Sequence, residues 1–284
     1  MTKRQSGEIV DVVGPWTEIK LEIIGEYARI FSIIASSKFK IIPYIDGFVN
    51  IGQVLSKSGE MIKGSALRVL DFNAFTEFHL IDIDDEKVNI LKRNISEMYP
   101  DKISKVITYE GDANKKIIQE VLPNIVHKCN KYELCGLCLL DPYGAHIKWD
   151  VIKQIAKHRF DLIVNFSIFD IQRNAGHVNK FSLDPAQVSR IDDFFGGHDW
   201  YSLTRISKPS LFDAEADEKN PRFEIELVNL YKEKLQKEFG YASNGIRFQN
   251  STNASLFYII FASHHPKGLD IANWFVKKYS KNNG

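Results

Sequence analysis

The stretch GLCLLDPYG, residues 136–144, decides how the rest of the sequence is interpreted. Its apolar run, residues 136–140, predicts a buried strand, and the run stops abruptly at Asp141, Pro142, Tyr143 and Gly144. In open α/β sheets, ligands bind at the carboxyl ends of the strands. The stretch therefore predicts a carboxylate, a rigid prolyl bond and an aromatic ring at the edge of a sheet where a ligand would bind.

Alternating strand and helix patterns surround this stretch on both sides. Apolar strands are predicted in KIIPYIDGF (40–48), EFHLID (77–82), KVITYE (105–110) and DLIVNF (161–166), with helical periodicity between them. YASNGIRFQN (241–250) and SLFYIIFASHH (255–265) are separated by a short polar turn, which is typical of an antiparallel hairpin. We predict an α/β fold with a doubly wound, mostly parallel, seven-stranded Rossmann-like sheet of the methyltransferase type, since a dehydrogenase would continue with parallel units.

The chain is predicted to form one domain over residues 1–284. Helical periodicity predicts an N-terminal helix at 16–37, which follows a polar start. Glu18 and Lys20 lie early in this helix, on what we expect to be its solvated face. Glycine and proline residues interrupt the pattern at about 170–222, where we expect an irregular insertion.

Composition limits the function classes. The net charge of +1 gives no global electrostatic argument for a nucleic-acid binder, although it leaves a local basic patch open. No apolar run is long enough to span a bilayer, and the N-terminus lacks the apolar core of a secretion signal, so we expect a cytoplasmic protein with no membrane partner. The three cysteines, Cys129, Cys135 and Cys138, suit a reducing compartment, and we expect small buried thiols rather than a metal site.

The ends of the first three predicted strands carry the residues that a nucleoside-containing cofactor needs. Such a cofactor requires a close backbone approach after the first strand and an acid at the end of the second, which binds the ribose hydroxyls. We predict a site for S-adenosylmethionine formed by Asp46, Gly47, Phe48 and Gly52 of the loop, by Asp82, and by Asp112 and Ala113. An inserted loop at 53–64 would explain the long separation between the first and second acids.

Each of these residues also has a structural interpretation. Asp82 and Asp112 precede helices and would serve as helix caps, although Asp84 is better placed than Asp82. Asn50 stands where many methyltransferases carry glycine, and asparagine tolerates left-handed backbone better than most residues. Val49 and Ile51 add bulk where a methionine moiety would need space.

The combined motifs resemble the three-Cys-motif partner (TcmP) proteins, a bacterial family with a methyltransferase-like fold. The resemblance covers most of the chain and is carried, in this order, by WTEIKLEII (16–24), YIDGF (44–48), SGEMIKGSALRVL (58–70), HLIDID (79–84), GDAN (111–114), LLDPYG (139–144), DLIVNF (161–166) and IIFASHHPKGLDIANW (259–274). The family loop usually continues with Ala-Gly-x-Gly, where this sequence has residues 49–52 as Val-Asn-Ile-Gly. The resemblance implies a protein partner with a three-Cys motif, similar to radical iron-sulfur proteins.

The predicted catalytic residues are Asp141, Pro142, Tyr143 and Asn165. Asp141 and the Pro142 carbonyl would accept hydrogen bonds from an exocyclic amine, Tyr143 would stack on its ring, and Asn165 would face the substrate at the end of the next strand. In the structural alternative, residues 142–144 form a tight turn that packs the tyrosine into the core. We predict no metal ligands.

Three functions remain open from the sequence. The first is an S-adenosylmethionine-dependent methyltransferase acting on an amino group of a nucleobase in nucleic acid. The second is a catalytically inactive adaptor that keeps the fold and binds the three-Cys-motif protein. The third is a nucleotide-handling enzyme that uses the same sheet edge for other chemistry.

Overall fold

The computed structural model describes residues 2–5, 8–128, 130, 132–175, 184–208 and 216–280. The chain divides into two compact units, the first made of Met1–Asp141 and Lys157–Ile163, and the second of Pro142–Ala156 and Val164–Gly284. Among the described helices, none combines the length and the hydropathy needed to cross a membrane.

The first unit alternates strands with helices after an N-terminal hairpin. Its elements are β1 (Thr2–Gln5), β2 (Glu8–Val13), α1 (Pro15–Ser36), β3 (Pro43–Asp46), β4 (Gln53–Ser56), β5 (Met61–Lys63), α2 (Ser65–Leu70), β6 (Glu77–Asp82), α3 (Asp85–Met98), β7 (Val106–Glu110), α4 (Ala113–Lys116), α5 (Leu122–His127) and β8 (Gly136–Leu140). A 3₁₀ helix covers Pro100–Lys105, and a π-helical segment, Ile117–Val121, joins α4 to α5.

The second unit is richer in helix. It holds α6 (Trp149–Ala156), α7 (Ile168–Ala175), α8 (Pro185–Phe195), α9 (Asp199–Leu203), β10 (Arg205–Lys208), β11 (Ala216–Lys219), α10 (Phe223–Phe239), β12 (Tyr241–Ala242), β13 (Ile246–Gln249), β14 (Ser255–Ser263) and α11 (Pro266–Ser280). Strand β9 (Phe160–Phe166) has residues in both units.

The main sheet confirms the predicted fold class. Its strand order is β12-β14-β9-β8-β3-β6-β7, and β13 also pairs with β14. Strand β3 runs parallel to β6 and β8, and β6 runs parallel to β7, whereas β12 and β13 are antiparallel to β14. The sheet has eight strands rather than seven, because the strand before β14 is broken into β12 and β13 near Gly245, where φ is +81°.

The central strands are apolar because they are buried on both faces, as expected in parallel sheets. Every residue of β3 and β8 is buried, and the carboxylate of Asp46 is enclosed with them. These two neighbouring strands therefore place the loop at 47–52 and Asp141 at their carboxyl ends.

The polar start and the inserted loop form a second sheet that the sequence did not predict. Its strand order is β1-β2-β4-β5, and β2 pairs with β4 in parallel at Val12 with Leu55 and Val13 with Ser56. Val10, Leu55 and Ile90 pack around Ile51 in a small apolar cluster. The pairing joins segments about forty residues apart, so local periodicity gives no signal for it.

The stretch at about 170–222, for which we expected an irregular insertion, contains regular elements in its described part. These are the end of α7, helices α8 and α9, and the antiparallel pair β10–β11. Phe194, Phe195 and Trp200 are fully buried there, and Phe194 stacks on Tyr231 of α10 with ring centroids 4.7 Å apart. Buried aromatic contacts stabilise this stretch despite its glycines and prolines.

Candidate functional site

Asp46 ends β3 and holds the start of the loop from inside the protein. Its side chain is fully buried, and it accepts hydrogen bonds from Ser65 Oγ at 2.6 Å, Tyr44 Oη at 3.1 Å and the Phe48 backbone N at 3.2 Å. Burial raises the pKa of Asp46 to about 6, although these three donors act in the opposite direction and the nearby Asp141 adds to the rise. Its contacts are those of a residue that positions the loop.

Asn50 adopts the left-handed conformation that a glycine would otherwise supply. Its φ is +55°, which confirms that the turn tolerates the substitution. The side-chain Oδ1 accepts from the Ile51 backbone N at 2.8 Å, and Nδ2 donates to Asp11 Oδ2 at 2.5 Å. Asp11 belongs to β2 and is almost completely buried, so the N-terminal strand contributes directly to the loop.

The two bulky residues of the loop are accommodated by packing. Val49 is 3% exposed and Ile51 is 2% exposed. The side chain of Ile51 belongs to the apolar cluster with Val10, Leu55 and Ile90, and Asn94 Nδ2 donates to the Ile51 carbonyl at 2.9 Å. The bulk of Ile51 is therefore taken up by the protein core.

Asp82 lies half-buried at the end of β6, and two backbone groups hold its carboxylate. Oδ2 accepts from the Asn50 N at 2.8 Å, and Oδ1 accepts from the Asp84 N at 3.1 Å. Asp84 is the actual cap of α3, since it accepts from the backbone N of Glu86 and of Lys87. Each carboxylate oxygen has a second lone pair, so Asp82 keeps the capacity to accept hydroxyl donors.

Asp112 is a helix cap in this structure. Its Oδ1 accepts from the Asn114 backbone N at 2.9 Å and from Asn114 Nδ2 at 3.0 Å, at the start of α4. Ala113 is buried beside it, 5% exposed. Asp112 therefore caps the helix through Oδ1, as the structural alternative expected. Contact of Oδ2 with an adenine amino group remains a prediction.

Gly47 and Gly52 are both enclosed by protein atoms. A Cβ at Gly47 would lie 3.0 Å from Leu140 Cδ2 and 3.6 Å from Ala113 Cβ. At Gly52, where φ is +79°, a Cβ would lie 2.7 Å from Leu91 Cδ1. Close packing is a sufficient reason for glycine at both positions, and their role in cofactor binding remains a prediction.

We expect Gly52→Ala to destabilise the protein more than Gly59→Ala does. Gly59 has a similar φ of +88°, but a Cβ there would meet no atom within 4 Å. Both variants therefore carry the strain of a left-handed alanine, and only the alanine at position 52 also meets Leu91. The additional loss for Gly52→Ala should be about 1 kcal/mol or more, measured by urea unfolding. Equal losses would mean that Leu91 moves aside at little cost.

Asp141 is held by an ion pair that the sequence did not reveal. Lys20 Nζ lies 2.9 Å from Oδ1 and 2.6 Å from Oδ2 of Asp141. The Lys20 and Asp141 side chains are only 12% and 15% exposed. The expectation that Lys20 lies on a solvated helix face was wrong, because its ammonium group reaches the Asp141 carboxylate just after β8 and both side chains are largely buried.

Pro142, Tyr143 and Asn165 belong to the second unit. Tyr143 is 86% exposed, which contradicts the alternative that the turn packs this ring into the core. Asn165 is buried near the end of β9, and its Nδ2 donates to the Pro142 carbonyl at 3.1 Å. Asn165 therefore supports the backbone of the turn, and its contact with a substrate remains a prediction.

The described cysteines are protonated thiols at neutral pH. Cys138 is buried as expected, and burial raises its pKa well above the usual range. Burial also raises the pKa of the partly buried Cys135 to about 12, with a further contribution from Asp161. Cys129 lies outside the described residues.

Comparisons with known proteins identify no family. The sequence matches no family model, and no curated protein matches it. Similar solved structures include a protein from Legionella pneumophila str. Philadelphia 1, with 11% identity, a TM-score of 0.45 and coverage of 91% of this chain and 92% of that one. The DszA carbon methyltransferase has 11% identity and a TM-score of 0.45, with 88% of this chain and 54% of that one covered. A magnesium protoporphyrin IX methyltransferase from Synechocystis PCC 6803, solved with bound S-adenosylmethionine, has 10% identity and a TM-score of 0.40, with 86% and 80% covered. At these values, the likeness assigns neither a family nor a substrate to this chain.

Proposed function

We propose that this chain is an S-adenosylmethionine-dependent methyltransferase acting on an amino group of a nucleobase in nucleic acid. The sheet supports the proposal, because its strand order brings β3, β6 and β7 side by side with their carboxyl ends at one edge. Asp46, Asp82 and Asp112 stand at or just after these three ends. Ligands of open α/β sheets bind at this edge.

The geometry of Asp82 is the observation that carries the proposal. Two backbone N–H groups fix its carboxylate, one of them from Asn50 in the loop after β3. A ribose has two neighbouring hydroxyl groups, and a fixed carboxylate with unused lone pairs is suited to accept both. The altered loop therefore leaves in place, at the end of β6, the carboxylate that would accept the ribose hydroxyls.

Asp141 is the residue proposed to bind the methyl acceptor. S-adenosylmethionine, when bound, would supply an electrophilic methyl group to the amine nitrogen, and its sulfur would leave as a neutral thioether with the electron pair of the carbon–sulfur bond. Asp141 would accept a hydrogen bond from the amine, and the proton would leave to solvent. Positioning and exclusion of water would provide most of the catalysis, since no strong base is required. Lys20 limits the orientations of this carboxylate through its two short contacts.

We expect Asp82→Asn to weaken the binding of S-adenosylmethionine by at least about 10-fold, because hydrogen bonds to a charged acceptor contribute more than those to a neutral one. Isothermal titration of the full chain measures the effect. Asp85→Asn is the matched control, since Asp85 is an exposed acid in the first turn of α3. If the parent shows no binding heat at high concentration, or if both variants bind like the parent, then the proposed cofactor site is wrong.

A second function is a catalytically inactive adaptor, which the packed loop also allows; its proposed partner, a three-Cys-motif protein, is implied by the sequence resemblance alone. The backbone N of Asn50 donates to Asp82, its Nδ2 donates to Asp11, and its Oδ1 accepts from the Ile51 backbone N. A loop that protein groups on β2 and β6 already hold would keep its conformation without a cofactor. Methyl-tritium transfer onto total cellular RNA and DNA, with and without the partner, distinguishes the two functions.

A further inference from the structure

The turn that carries Tyr143 is attached to the rest of the second unit on both sides of the tyrosine. Before it, the Pro142 carbonyl accepts from Asn165 Nδ2 at 3.1 Å. After it, the Ala145 backbone N donates to Asp170 Oδ2 at 2.9 Å, and the Ala145 carbonyl accepts from Arg190 Nη1 at 3.1 Å. Both polar groups of the Ala145 backbone are therefore bound by side chains from distant parts of the sequence.

Asp170 and Arg190 also bind each other. Arg190 Nη1 lies 2.6 Å from Asp170 Oδ2, the same oxygen that accepts from Ala145. Asn174 Nδ2 donates to the other oxygen, Oδ1, at 2.9 Å. The Asp170 and Arg190 side chains are 23% and 20% exposed, which limits competition from water.

The packing around Gly144 makes the attachment tight. A Cβ at this position would lie 2.8 Å from Asp170 Oδ2, so only glycine lets the turn approach the carboxylate this closely. The Tyr143 side chain, in contrast, is 86% exposed between these fixed neighbours. A large aromatic ring on a rigid backbone loses little conformational entropy when a planar ligand stacks on it.

We propose that Asp170 and Arg190 are positioning residues that fix the turn at 142–145 and thereby present the Tyr143 ring to a planar nucleobase. The inference rests on the proposed function and identifies α7 and α8 as the elements that fix the substrate-binding turn. These residues act through the backbone of the turn and need not touch the substrate themselves.

Hydrogen exchange at the Ala145 amide tests the attachment independently of activity. We expect exchange to become about 10-fold faster in Asp170→Asn and in Arg190→Ala, because each variant weakens the contacts that protect this amide. Arg190→Lys, which keeps the charge, should restore part of the protection. The control is Asp193→Asn, since Asp193 lies on α8 in an exposed ion pair with Lys148 at 2.9 Å and does not contact the turn.

Methyl-tritium transfer onto total cellular RNA and DNA tests the role of the turn in the reaction. We expect kcat to fall at least about 10-fold in Asp170→Asn and Arg190→Ala, with KM for S-adenosylmethionine unchanged, and neither value to change in Asp193→Asn. If hydrogen exchange at the Ala145 amide is unchanged in Asp170→Asn and Arg190→Ala, then these residues do not hold the turn. If exchange at the Ala145 amide becomes faster but kcat is unchanged, then Asp170 and Arg190 hold the turn without positioning Tyr143 for the reaction. An inactive parent that binds S-adenosylmethionine would contradict the proposed methyl transfer and the positioning role, while the exchange result still decides whether Asp170 and Arg190 hold the turn.

Discussion

Lys20→Met is expected to destabilise the protein by about 3 kcal/mol, the lower end of the loss when one partner of a buried ion pair is removed. The variant leaves the Asp141 carboxylate without its ammonium partner in a site where only 15% of its side chain is exposed. The value lies at the lower end because both side chains keep some contact with water. Urea unfolding of the parent and the variant gives the difference directly.

The double variant Lys20→Met with Asp141→Leu separates the ion pair from simple packing. Replacing both charges with apolar groups removes the carboxylate that has lost Lys20, so we expect the double variant to regain most of the stability. The control is Lys40→Met, because Lys40 makes an equally short contact with Glu133 at 2.6 Å but is 79% exposed, and we expect no measurable change. A loss for Lys20→Met as small as that for Lys40→Met would show that water already screens the Asp141 carboxylate.

Asp46→Asn is expected to change how stability depends on pH. The pKa of Asp46 is about 6 in the folded protein and 3.8 ordinarily, so the folded state binds this proton more tightly than the unfolded state. The contribution of protonated Asp46 to the free energy of unfolding is fully present below pH 3.8 and is lost as the pH rises through 6. The unfolding free energy of the parent, relative to that of Asp46→Asn, should therefore fall by about 2 kcal/mol between pH 4 and pH 7.

The comparison with Asp46→Asn is needed because other acids have the opposite effect. Burial alone would raise the pKa of Glu77 and of Asp170, but contacts with neighbouring groups lower both pKa values. The contacts of Glu77 are with His79 and Lys128, and those of Asp170 are with the Ala145 amide and Arg190. These groups stabilise the protein as the pH rises, and they are present in both proteins, so their contributions cancel in the difference. A difference that is constant from pH 4 to pH 7 would show that Asp46 is not desolvated by its burial.

The sequence predicted the parts of the site that depend on local patterns. The apolar runs placed the ends of β3 and β6 at Asp46 and Asp82, and the sequence favoured Asp84 over Asp82 as the cap of α3. It also allowed Asn50 to replace glycine at a left-handed position. Each prediction concerns residues within a few positions of one another, where backbone geometry and side-chain chemistry are directly coupled.

Other parts of the site depend on contacts between residues that are distant in sequence. Lys20 and Asp141 are 121 positions apart, and Arg190 reaches Ala145 across 45 positions. Asp11 binds Asn50 across 39 positions. In each case the partner is too far away along the chain for the neighbouring sequence to indicate it.

The amino-acid sequence by itself determined the α/β class, the parallel core strands and the terminal antiparallel pair, since continuous apolar runs, helical periodicity and turn residues specify these over short distances. Only the tertiary structure decided which charges are paired at the carboxyl ends of the strands, and that β1, β2, β4 and β5 form a second sheet whose Val10 and Leu55 pack with Ile51 of the loop after β3. The physical reason is that an ion pair or a parallel pairing depends on distance in space, and the fold brings such segments together from positions that the local sequence does not connect.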